Sequence, residues 1–69
     1  MSYSKKELME AKRQIDATIY KLKATIKTFE KKEKPERYKS QITLANRRIQ
    51  AFSIASDLIE QELTKLSRH

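Results

Sequence analysis

The chain of 69 residues contains no cysteine, glycine or tryptophan, only one proline and only one histidine, His69. Without cysteine no disulfide can form, and a single histidine is too little for a zinc site of the usual Cys/His kind. A domain of this length buries too little surface to be more than marginally stable alone. We therefore expect the chain to gain stability by associating with further copies of itself.

Long apolar runs are also missing. The longest uncharged run within the body of the chain, Ile49–Ser56, is far shorter than the roughly 20 residues that span a bilayer. Near the N-terminus, Lys5 and Lys6 are followed by Glu7 and Glu10, where a secretory signal has an apolar segment. We expect no membrane contact and a cytoplasmic location, which the lack of cysteine also fits.

The residues that are present favour one all-α domain over residues 1–69, because charged residues are abundant and Leu, Ile, Ala, Lys and Glu recur at helical spacing. Ser4 and Glu7 have the spacing of a capping box, which predicts that helix one begins near Lys5. Pro35 suits the first turn of a second helix, where its missing N–H costs nothing.

Two apolar seams follow the alternating spacing of four and three residues that is typical of coiled-coil packing. Extending the first seam past Phe29 leads only to polar positions, and the second seam starts out of phase at Tyr38. A continuous rod keeps its phase, so we predict an antiparallel hairpin. Its helix one covers about residues 5–33, its corner 33–35 and its helix two about 35–67.

Folding the chain at the predicted corner brings the two seams into register. Phe29 then lies opposite Tyr38, and the apolar pairs continue to Leu8 opposite Ile59. One layer is polar on both sides, since Lys12 lies opposite Ser56. Such a layer fixes register at some loss of stability, or else the lysine stem simply lies over the small serine.

Helix two has more apolar surface than one neighbouring helix can cover. A second stripe runs beside the seam and forms the candidate self-association site: Leu44, Ala51, Ala55 and Leu58. We expect two hairpins to associate into a homodimeric four-helix bundle, with a trimer of hairpins as the alternative.

The net charge of +7 is concentrated around the corner. Residues 17–55 contain ten basic and three acidic side chains, and 10 − 3 = +7, while the two ends balance at six of each. Lysines near the end of helix one complement its macrodipole and aid solubility, but Arg47 and Arg48 lie too far from that end for this explanation. The candidate partner-binding residues are Lys23, Lys27, Lys31, Lys34, Arg37, Arg47 and Arg48.

We expect this basic end to dock an acidic protein, and the alternative is sequence-independent binding of RNA or DNA. No groove-reading, zinc-finger or RNA-binding signature accompanies the charge. We expect no enzymatic activity, cofactor, metal or small-molecule substrate, because the acidic residues are scattered and no placed nucleophile or base accompanies them.

Two families share features with this chain. The predicted hairpin resembles the Rop family of plasmid-copy-number RNA-binding proteins in architecture only, and this resemblance implies RNA binding without assigning residues. The segment "SIASDLI", with Ser53 and Asp57, is similar to the Ser-x-x-x-Asp motif on the second helix of the hairpin phosphatases of the sporulation phosphorelay. That resemblance implies an aspartyl-phosphate phosphatase as a minor alternative.

Overall fold

The computed structural model describes residues 2–67, so His69 lies outside the described residues. Two antiparallel helices form a hairpin: α1 covers Lys5–Glu30, a short 3₁₀ helix covers Pro35–Tyr38, and α2 covers Lys39–Ser67. The prediction of an all-helical hairpin is confirmed. The rod is 53 Å long and 17 by 15 Å across. No helix within the described range has the length and apolar character needed to cross a bilayer.

The N-terminus of α1 is closed by the predicted capping box. The Glu7 backbone N–H donates to Ser4 Oγ at 3.1 Å, and the Ser4 N–H donates to Glu7 Oε1 at 3.0 Å. The bond from the Ser4 backbone N–H, together with the Ser4 side chain, lowers the pKa of Glu7, because both favour the ionised carboxylate. Two of the N–H groups that a helix start leaves without partners are thereby satisfied, which fixes where α1 begins.

The corner is longer than the sequence pattern indicated. Helix one was predicted to reach about residue 33, whereas α1 ends at Glu30. The Lys32 N–H bonds to the Phe29 carbonyl at 3.1 Å, a tightened bond of the kind that ends helices. Lys34 leaves the helical region, with φ −126° and ψ 77°, because the following proline disfavours it there.

The second helix starts at the predicted proline but not as an α-helix. Pro35 opens a single 3₁₀ turn in which the Arg37 N–H bonds to the Lys34 carbonyl at 3.1 Å. The α-helical part begins only at Lys39. Pro35 removes a backbone donor at the one place in a helix where none is required, so the turn reverses the chain without glycine.

The seams meet in the predicted register. The ring of Phe29 stacks on Tyr38, with centroids 4.8 Å apart and planes 15° apart. Leu8 and Ala45 are buried, but most seam side chains are only half-buried: Ile15, Ile19, Leu22, Ile26, Phe29, Tyr38, Ile42, Ile49, Phe52, Ile59 and Leu63. One partner helix therefore covers the core incompletely.

Candidate interaction surfaces

A polar layer crosses the hairpin at the predicted position. Lys12 Nζ lies 2.9 Å from Ser56 Oγ and 2.9 Å from Asp16 Oδ2, and the buried Ser56 hydroxyl donates to Asp16 Oδ1 at 2.7 Å. The contact of Lys12 with Ser56 is the predicted one, whereas the part played by Asp16 was not predicted. The signal for Asp16 was its place one turn after Lys12, on the same edge of α1.

The three side chains of the polar layer satisfy one another electrostatically. Hydrogen bonds from Lys12 and then Ser56 lower the pKa of Asp16, and the bond to Asp16 raises the pKa of Lys12. A shifted register would leave the buried Ser56 hydroxyl without Lys12 and Asp16, whereas the pair of Lys12 with Asp16, both on α1, would remain.

The polar layer predicts a specific acid sensitivity. The pKa of Asp16 is lower in the folded chain, so its stabilisation is present above the unfolded pKa of about 3.9 and is lost as pH falls through the folded value. We expect Asp16→Asn to lower the melting temperature at pH 7 and to lose less stability in acid than wild type, as followed by circular dichroism between about pH 2 and 7.

The Asp16→Asn variant will still lose part of its stability in acid. The pKa of Glu10 is lowered to about 2, chiefly by its hydrogen bond from Arg13, and that of Glu7 is lowered by its capping bonds. Glu36→Gln, at the exposed corner, is the control and should retain the wild-type acid profile. An Asp16→Asn profile that parallels wild type throughout contradicts this role for Asp16.

The basic end consists of the ten lysine and arginine side chains of residues 17–55, and all of them are exposed. The two ion pairs in the described part of the chain, Lys12–Asp16 and Arg13–Glu10, both lie in the other half. No acidic side chain of the described chain forms an ion pair with a member of the basic end. Its members are Lys21, Lys23, Lys27, Lys31, Lys32, Lys34, Arg37, Lys39, Arg47 and Arg48.

Three glutamates, Glu30, Glu33 and Glu36, stand exposed among the basic side chains without forming an ion pair in the described chain. At the tip, a shallow concavity is lined by Lys32, Glu33, Lys34, Arg37 and Tyr38. The Tyr38 ring at its edge is held by the stack on Phe29. The tip therefore presents charges of both signs beside the Tyr38 ring, which is stacked on Phe29.

Tyr20 is the most exposed large apolar side chain of the hairpin, with 76% of its surface accessible. It lines a small depression together with Asp16, Ile19 and Lys23. An aromatic ring beside a lysine can anchor a partner by burying area while the charge stays in contact with water. Because Tyr38 is half-buried against Phe29, Tyr20 is the freer of the two aromatic rings.

The second surface is the apolar stripe of α2. Leu44 and Leu58 are 50% and 59% accessible, Ala51 is exposed, and Ala55 is half-buried. Ile54 is 54% accessible and joins the stripe, because it lies three residues after Ala51 and four before Leu58. Ile54 was not predicted, although its spacing from Ala51 and Leu58 can be read from the sequence. We define the apolar stripe as Leu44, Ala51, Ile54, Ala55 and Leu58.

The two residues of the phosphatase-like motif lie about one helical turn apart on α2. Ser53 is half-buried and Asp57 is exposed on α2. No group of three potential metal ligands occurs among residues 2–67. Comparison with protein-family models, curated proteins and solved structures gives no match. The basic end and the apolar stripe are the two candidate interaction surfaces of the described chain.

Proposed function

We propose that this protein is a non-enzymatic interaction module, which self-associates through the apolar stripe and docks an acidic protein through the basic end. One observation carries the docking role: ten exposed basic side chains lie in one half of the hairpin and have no ion-pair partner in the described chain. An uncompensated field of one sign concentrates oppositely charged partners and raises their rate of association.

Solubility alone is a weaker explanation of this charge. A solubilising surface requires net charge but not its collection in one half of the molecule. Lys23 and Lys27 on α1 and Lys31 at its C-terminal cap repeat at four-residue spacing, and each like-charged pair costs a few tenths of a kcal/mol. These repulsions destabilise the hairpin slightly, and a partner that neutralises the charges relieves them.

An acidic protein fits the basic end better than a phosphate backbone does. Glu30, Glu33 and Glu36 project among the basic side chains, and each repels phosphate, whereas a protein surface can place a lysine or arginine against it. Tyr20 adds an exposed aromatic anchor of the kind enriched in protein interfaces. RNA or DNA is the second candidate, because the same field attracts any polyanion.

Self-association is supported by the incomplete core. Most seam side chains are half-buried in a single hairpin, and the apolar stripe remains in water. Covering apolar surface contributes about 25 cal/mol for each Å² removed from water. Two hairpins packed on their stripes form a homodimeric four-helix bundle, and a trimer of hairpins is the competing assembly.

The docking role is tested by reversing charge on one flank of α1. The variant carries Lys23→Glu, Lys27→Glu and Lys31→Glu, all at exposed positions, so the fold should survive. We expect it to bind poly-L-glutamate at least about tenfold more weakly than wild type, by fluorescence anisotropy. It should also lose the acidic partner that wild type captures from a nuclease-treated cytoplasmic extract.

A matched control carries the same change of charge in the balanced half: Lys5→Glu, Lys6→Glu and Lys65→Glu, also exposed. It should bind like wild type, and all three proteins should sediment at twice the chain mass of 8.2 kDa. Equal loss in both variants, or in neither, refutes a localised docking site. Capture that vanishes with nuclease, together with tight salt-dependent binding of a short RNA duplex, favours the nucleic-acid candidate instead.

A further inference from the structure

The leucines at the two ends of the apolar stripe are symmetric about Ala51, whereas Ile54 and Ala55 have Arg48 and Arg47 at the mirrored positions. Leu44 and Leu58 each lie seven residues from Ala51, which is close to two helical turns on either side of it. In a two-fold symmetric interface the same patch must fit itself. Antiparallel pairing of α2 with a second α2, centred on Ala51, sets Leu44 against Leu58 of the partner subunit and brings the two small alanines together.

A competing arrangement also satisfies the apolar surfaces. If both corners point the same way, α1 of one chain covers the stripe of the other, and its small flank residues Ala11, Thr18 and Thr25 face that stripe. Their spacing of seven residues matches the spacing of Leu44, Ala51 and Leu58. Apolar fit alone therefore does not choose between the two arrangements.

Charge distinguishes the two arrangements. Packed helices lie about 8–10 Å apart, which is about one screening length at physiological salt, so charges on neighbouring hairpins still interact. With the corners together, two halves of +7 lie side by side. In the head-to-tail arrangement each half of +7 lies mostly beside a half whose charges balance, and only residues 47–55 of the two basic halves face each other. In the described chain no acidic side chain forms an ion pair with the basic end, so nothing offsets this repulsion when the two corners lie together.

We propose that the dimer is formed head to tail, with α2 packed antiparallel on α2 of the partner subunit about an axis at Ala51. This inference depends on the proposed self-association. Its consequence is a bundle with a basic end at each pole of a rod of about 53 Å, the length of one hairpin. One dimer then docks two acidic partners, one at each pole.

Disulfide trapping tests the arrangement cleanly, because the chain contains no cysteine. In the head-to-tail dimer the two copies of residue 51 face each other, within the short Cα separation that a disulfide needs. We expect Ala51→Cys to form a covalent dimer under mild oxidation. Leu44→Cys alone and Leu58→Cys alone should not, because like positions lie about 21 Å apart, and a mixture of the two should cross-link.

Two further variants complete the experiment. Gln50→Cys is the control, because this exposed neighbour lies on another flank of α2 and should remain uncross-linked. Cross-linking of mixed Thr18→Cys and Ala51→Cys chains, with none in Ala51→Cys alone, identifies the corner-to-corner arrangement and overturns the inference. A dimer that cross-links at none of these positions overturns it too. A monomeric mass for the wild-type chain in sedimentation equilibrium instead refutes self-association itself.

Discussion

An Ala51→Glu variant is expected to sediment as a monomer at micromolar concentrations where we expect the wild-type chain to be dimeric. Ala51 is exposed in the hairpin, so the glutamate costs little there. In the proposed dimer the two carboxylates are taken out of water and brought together, and the exposed Arg47 and Arg48, one turn earlier on α2, offset only part of this cost. Burial of a charge costs several kcal/mol, so we expect a loss of affinity of at least about tenfold.

The neighbouring residue supplies the control for this prediction. Gln50→Glu adds the same charge at an exposed position one residue away, on a different flank of α2, and should remain dimeric. Circular dichroism of the Ala51→Glu monomer then reports whether a single hairpin stays helical. A dimer that survives Ala51→Glu with wild-type affinity means that the apolar stripe is not the contact between copies.

The pairing of the two helices could be predicted from the sequence, because strict seams in both halves leave one register in which apolar positions coincide. The stack of Phe29 on Tyr38 and the contact of Lys12 with Ser56 both follow from that register. The start of α1 was equally predictable, since the capping box is a local arrangement of Ser4 and Glu7.

Other features of the structure cannot be predicted from the periodic spacing of the apolar residues. The end of α1 at Glu30 is one, because no glycine or proline marks it and the chain reverses through the lysines that follow. Asp16 is another: pairs at four-residue spacing are common on exposed helix faces, and only the placed Ser56 hydroxyl shows that this aspartate reaches across the hairpin. Its recruitment requires tertiary structure.

Stability and charge are separated along the rod. The capping box, the polar layer, both ion pairs and the buried Leu8 lie in the half near the chain ends. The corner half holds the basic end, the buried Ala45 and the stack of Phe29 on Tyr38, but no ion pair of the described chain. Because few attractive contacts involve the basic side chains, they can be changed with little cost to the fold.

Leu8→Ala is expected to be the most destabilising single truncation of the hairpin. Leu8 is 8% accessible, and removing a buried leucine leaves a cavity at a cost of about 2–5 kcal/mol. For a small domain of marginal stability, that loss leaves much of the population unfolded. Urea titrations followed by circular dichroism should show a midpoint far below that of wild type.

Met9→Ala is the matched control, because Met9 is the next residue along α1 but is 54% accessible. Its truncation should change the free energy of unfolding by no more than about 0.5 kcal/mol. Equal shifts in the two variants mean that the end of the hairpin near Leu8 does not hold the fold together. A large shift confined to Leu8→Ala shows that burial of this side chain stabilises the hairpin, so loss of binding in this variant follows from unfolding rather than from a changed docking surface.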